Sequence, residues 1–264
     1  MTGLTISTAN LIDLLTDAML TASTLTGGVY LAPQRAPWKD EPSDVDLLAA
    51  MSTTRYVLGH TWCPVDGQNL KPAVWPVGST ATALGVLKRL SKKGENHTVD
   101  IDMYKADPPE NLKEGEHPGW IVTISESAAL FDADTEFQFH AHHESRFPVA
   151  SMSRMIWGHA KAPDDEGYVE TPLTLWGANV LGPLVKVAKR NGGTMRFYRK
   201  PDARMQVVTI GPTWIGAAMP AGALAGEPTD GPAFDPVLPL LDPPVPAAAA
   251  DEVVHTTETP KADQ

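Results

Sequence analysis

The chain has 264 residues, 42% of them hydrophobic, and a formal net charge of −11 at pH 7. That length supplies a real core for one large domain or two modest ones. No run of about 18 apolar residues exists, the opening MTGLTISTANLIDLL lacks a basic start and a small-residue cleavage site, and the lone Cys63 excludes an internal disulfide framework. A soluble, cytoplasmic protein without a membrane span is expected.

The charge is unevenly spread. From Ala221 onward there are eight acids against Lys261 alone, so this stretch carries about −7 and leaves the body near −4. An acidic total therefore does not exclude nucleic acid as a partner, although it does exclude a uniformly basic DNA-coating protein.

Taken in chain order, Thr5 and Ile6 begin a short strand. Leu11, Ile12, Leu14, Leu15, Ala18, Met19 and Ala22 then recur at helical spacing, with Ser7, Thr8 and Asn10 offering N-caps, and the helix ends before Gly27 and Gly28. Strands are predicted at 29–31, 56–62 and 75–77, with a Pro-rich acidic loop around 38–46. Ser79 or Thr80 is placed as the cap of a helix running through Leu90 to a stop at Gly94. Strands follow at 99–105 and 120–125, joined by a polar loop at 106–118. Residues 136–142 alternate as a strand with Phe137 and Phe139 on one face. A short helix at 152–159 and a strand at 171–176 lead to a helix capped by Asn179, with Pro183 read as first-turn. Strands at 195–199, 205–210 and 213–218 close the ordered part. The Pro- and Ala-rich acidic remainder has the composition of a disordered tail, interrupted by the apolar word FDPVLPLLD. The fold class is α+β, with few helices laid against antiparallel sheets.

One passage occurs twice. LGVLKRLSKKG, TVDIDMYK and GWIVTIS in residues 84–125 are matched by LGPLVKVAKRNG, TMRFYRK and MQVVTIG in residues 181–210. Each copy is an amphipathic helix with a basic end followed by two strands, the mark of a duplicated architecture. Leu84, Leu87 and Leu90 in the first copy, and Leu181, Leu184, Val187 and Ala188 in the second, are expected to face a sheet. Lys88, Arg89, Lys92 and Lys93, and then Lys186, Lys189 and Arg190, are expected to project. Basic residues in a last turn suit the helix dipole on their own. Two basic helix ends within an acidic protein point further, to a face kept for polyanions.

The pattern resembles the DNA sliding clamps, the ring-forming processivity factors of replicative polymerases. LTISTANLIDLLTDAMLTAS is similar to that family's opening strand and first helix, EFQFHAHHESRFP to the strand and Phe-Pro closing a bacterial clamp domain, and MQVVTIGPTWIGAAMP to its last two strands. The resemblance implies clamp-like domains at 1–148 and, shorter and without an obvious opening helix, at 149–220, with 221–264 as the tail. It also implies a non-enzymatic, cofactor-free DNA-replication accessory that assembles as a homo-oligomer. Such a protein encircles or tracks double-stranded DNA without reading sequence and tethers a DNA polymerase or other replication protein. The seven basic residues above would contact phosphate. Phe234, Val237, Leu238, Leu240 and Leu241 of the tail are candidates for a partner pocket. Asp13 and Asp17, with no Lys or Arg on the first helix, depart from a pore-lining pattern and would repel a phosphate backbone. The compact, divergent form looks phage-encoded, and an alternative is a recombination directionality factor acting on a serine integrase.

Chemistry finds little footing. No GxxxxGK[ST], GxGxxG or GxSxG is present. His140 and His142 share a strand face at a spacing that suits a metal. Glu144, Asp132 and Asp134 are nearby in sequence, but the alternative is a solvated, titratable strand end. Six of the seven tryptophans lie in or beside predicted elements and are assigned to core packing.

Overall fold

Three times the chain runs a short strand, a 14-residue helix and three antiparallel strands. The computed structural model describes residues 3–38, 41–54, 56–93, 96–108, 117–127, 135–160, 174–198, 205–220 and 222–223. The first motif is β1 (Leu4–Ser7), α1 (Thr8–Thr21), β2 (Val29–Ala36), β3 (Val45–Thr53) and β4 (Val57–Pro64). The second is β5 (Ala73–Trp75), α2 (Val77–Leu90), β6 (Thr98–Lys105), β7 (Trp120–Glu126) and β8 (Glu136–His143). After α3 (Val149–Ala160) the third is β9 (Thr174–Leu175), α4 (Ala178–Asn191), β10 (Met195–Tyr198), β11 (Gln206–Ile210) and β12 (Trp214–Ala218), continued as β13 (Gly222–Ala223).

In each motif the end of the last strand turns back onto the first. Thr5 bridges Asp66 just beyond β4, Ala73 and Val74 pair with His143 and His142, and Thr174 and Leu175 pair with Ala223 and Gly222. The first two motifs also exchange their opening strands: β1 lies on β6 and β5 on β2. The third motif attaches through β12, which pairs with β4 over Val57 to Thr61. Among the described residues the outcome is one antiparallel sheet of eleven strands, ordered β1-β6-β7-β8-β5-β2-β3-β4-β12-β11-β10.

Alternation along the strands divides the core between the two faces of this sheet. Leu48 and Ala50 of β3 point into a cluster with Leu11, Leu14, Leu15 and Ala18 of α1 and Leu84, Leu87 and Leu90 of α2. On the same face, Val180, Leu184 and Val187 of α4 pack on Val57, Val208, Ile210 and Trp214. On the opposite face Leu47, Ala49 and Met51 meet Met152 and Ile156 of α3. Leu87 and Leu15 are fully buried, and truncating either to alanine costs about 2–5 kcal/mol in transfer and cavity terms.

The path of β3 corrects the sequence reading, which placed a loop up to residue 46 and no strand before 56. Residues 47–53 are all buried on both faces, so the alternating signal that betrays a half-exposed strand is absent. The helix caps also differ. Pro76 and Gly177 stand at the N-cap positions, so Ser79, Thr80 and Asn179 lie inside their helices, and Pro183 sits in the second turn of α4. There it removes the bond its amide would give to the Asn179 carbonyl.

α1 approaches the sheet closely because Gly59 on β4 has no side chain. A Cβ there would sit 2.4 Å from Thr21 Oγ1 and 3.1 Å from the Trp214 ring. Thr21 Oγ1 and Ser52 Oγ share a buried hydrogen bond of 2.6 Å, and Ser52 Oγ donates to the Ala18 carbonyl at 2.6 Å. Gly59→Ala is expected to lower stability by about 1–3 kcal/mol in a denaturant melt, through overpacking at this contact.

Candidate nucleic-acid interface

The three long helices lie side by side on one face of the sheet, with α1 in contact with α2 on one flank and α4 on the other. Their apolar stripes are consumed by the sheet, so the polar residues are what the face presents. Lys88 and Arg89 at the end of α2, and Lys92 in the 3-10 turn that follows, are exposed. Lys186 and Lys189 are exposed on α4. Both basic ends fall at C-terminal turns, where the partial negative charge of unpaired carbonyls steadies them. The two ends marked in the sequence thus belong to one helical face. Lys93 closes the 3-10 turn.

Arg190 is differently engaged. Its Nε donates to Asp17 Oδ1 at 2.6 Å and its Nη2 to Asp13 Oδ1 at 3.0 Å, crossing from α4 to α1. Asn191 Nδ2 completes the arrangement by donating to Asp17 Oδ2 at 3.0 Å. The Asp17 side chain is 4% exposed, that of Arg190 31% and that of Asp13 70%. Burial opposes the Arg190 cation, but the hydrogen bonds and negative charge of Asp17 and Asp13 outweigh it and hold its pKa above the usual arginine value. The acids of the first helix therefore serve as the anchor for α4. Asp17 is spent on Arg190 and Asn191, whereas Asp13 keeps much of its surface open. No sequence signal joins residues 173 positions apart, and this cluster was legible only as two misplaced acids.

The other candidates separate. His140 is exposed and half-buried His142 borders a cleft of 480 Å³ with Arg146, Pro76 and Leu25. Burial, then the Arg146 charge, pulls the His142 pKa down. Among the described residues no group of three or more His, Cys, Asp or Glu is placed to hold a metal. Asp132, Asp134 and the tail residues Phe234, Val237, Leu238, Leu240 and Leu241 lie outside the described residues. No helix among the described residues is long and apolar enough to cross a membrane. Cys63 is buried on β4, and desolvation, reinforced by Asp13, raises its thiol to about 12. Native protein at neutral pH is expected to resist maleimide labelling, with one equivalent reacting only after denaturation.

No protein-family profile matches the chain, and no curated protein matches it in sequence. Solved structures do match. The DNA polymerase sliding clamp of Caulobacter crescentus aligns with a TM-score of 0.53 at 11% identity, over 84% of this chain and 66% of that one. The DNA polymerase III beta subunit of Pseudomonas aeruginosa aligns at 0.50 and 11%, over 86% and 65%. A putative beta subunit from Eubacterium rectale aligns at 0.51 and 9%, over 86% and 66%. The chain thus spans just under two thirds of the length of these proteins. What it shares with them is the fold: its described residues form an α+β arrangement of four helices and an eleven-stranded antiparallel sheet that matches the sliding-clamp fold.

Proposed function

We propose that this chain is a non-enzymatic accessory of DNA replication that tracks double-stranded DNA on its α1–α2–α4 face and tethers a polymerase or other replication protein. The observation carrying this reading is that Lys88, Arg89, Lys92, Lys186 and Lys189 are exposed on one helical face of a clamp fold. Lys93 belongs with them by its position. Arg190 orders the face by fixing α4 on α1. Ammonium and guanidinium groups on helix ends make screened phosphate contacts without reading base edges, which suits a protein that must move along any sequence. Residues 1–148 and 149–220 are proposed as one full and one half unit of this architecture, followed by the acidic stretch 221–264. The apolar tail word is proposed as the segment that engages a partner pocket.

The test is a variant carrying K88E, R89E, K92E, K186E and K189E, with Arg190 untouched so that the α1–α4 anchor stays. Binding to a duplex is measured across a salt series. Each phosphate contact removed reduces the slope of log K against log salt by about 0.9. The variant should lose affinity at low salt by orders of magnitude while melting like the parent. Equal affinity and slope in parent and variant would remove the assigned face.

A further inference from the structure

We propose that the third motif is half of a unit that a second copy of the chain completes, by a reciprocal exchange of β9 onto β10. This exchange follows from sheet topology, whatever the helix face binds. In the first two motifs the strand before each helix is given to the other motif, and the register follows one rule. The residue two places before the helix pairs with the first core residue of the other motif's post-helix strand: Ile6 with Val99, and Trp75 with Val29. The residue three places before pairs with the next: Thr5 with Asp100, and Val74 with Tyr30. The third motif repeats the helix, the three strands and the turned-back corner, yet among the described residues no sister motif exchanges with it.

Its two acceptor positions show the consequence. Among the described residues β10 ends the sheet and pairs only with β11, while β9 pairs only with β13. Val99 and Ile101 of β6 are 0% exposed beneath β1 and its helix. In the repeat TVDIDMYK and TMRFYRK their counterparts are Met195 and Phe197, which are only half-buried. Trp176, against Phe197 at 5.0 Å, is half-buried too, whereas its counterpart Trp75 is fully buried. An apolar strand edge of this kind invites pairing unless it is covered.

A strand that fits this edge must be short, precede a helix and come with a second helix to lie beside α4. Among the described residues β1 with α1 and β5 with α2 answer that description, and both are already committed. A second copy's β9 and α4 answer it as well, and a two-fold axis satisfies both copies at once. By the register rule Trp176 of one copy opposes Met195 of the other, and Leu175 opposes Arg196.

The experiment uses the full chain. Its mass in solution, measured by light scattering over the widest attainable range of concentration, should reach twice 28.3 kDa. The double variant L175C/R196C should then form a covalent dimer on mild oxidation, reversed by reductant, because directly opposed residues of an antiparallel pair lie within disulfide reach. Neither single variant should bridge, and buried Cys63 should not take part. A wild-type chain that stays monomeric throughout overturns the proposal without any substitution. A dimer in which 175 and 196 fail to bridge overturns it too, because that dimer would be built elsewhere, as on the tail.

Discussion

Arg190→Ala is expected to lower the free energy of unfolding by about 2–3 kcal/mol, a value below the about 3–5 kcal/mol for breaking a fully buried pair because the guanidinium keeps some contact with solvent. The loss comes mainly from the carboxylate left behind. Asp17 is 4% exposed and would retain Asn191 Nδ2 as its remaining partner. Asp13→Asn should cost far less, within about 1 kcal/mol, since Asp13 is 70% exposed and its pairing is screened by water. Urea melts of the two variants against the parent check this contrast. Because Arg190 links the third motif to α1, its loss should also weaken duplex binding without removing any cation assigned to phosphate. The double variant R190M/D17L, which removes both charges together, should recover part of the lost stability.

Stability should fall as pH drops from about 6.5 toward 4, with His60 as a principal cause. His60 lies on β4, fully buried, with Trp62 beside it at 5.1 Å and its Nδ1 3.1 Å from the Ala50 carbonyl. Its Nε2 has no hydrogen-bond partner among the described residues. Burial drives its pKa from 6.5 down to about 4, against the opposing pull of the Ala50 carbonyl. A histidine depressed in the folded state binds its proton more readily when unfolded, so protons favour the unfolded chain throughout that window. The contribution is fully present above about pH 6.5. It declines as pH falls and amounts to about 3 kcal/mol across the shift. His60→Met, of similar bulk and without a titrating group, should flatten the profile between pH 6.5 and 4. The difference between parent and variant curves isolates this residue from the carboxylates that titrate lower. A parent and variant of parallel slope would show that His60 does not carry the effect.

Much of the architecture was legible because the elements that define it carry one-sided patterns. The helices ending near Leu90 and Asn191 show apolar spacing and basic last turns, and the structure places both where the periodicity puts them. The strand of residues 136–143 alternates because one of its faces meets solvent. What was hidden was hidden for physical reasons. β3 is apolar on consecutive residues because both of its faces are covered, one by α1 and the other by α3. The first motif does not read as a third copy because its helix ends in Met19, Leu20 and Thr21 and bears acids, so it lacks the basic ending that marks the other two. Those acids made sense only when folding brought Arg190 to them. The exchange of β1 and β5 is a long-range pairing that no local pattern encodes.

The proposed function requires the α1–α2–α4 face to meet DNA and the α3 face to stay clear of it. A photo-crosslinker placed at K92C tests it directly against one at M155C, an exposed position on α3 across the sheet. Both can be labelled selectively because Cys63 is buried and its thiol titrates near 12. With duplex DNA and modest salt, the probe at residue 92 should give a crosslinked complex that disappears as salt rises, and the probe at 155 should give none. Crosslinking from 155 alone, or from neither position where the parent binds DNA, would contradict the account.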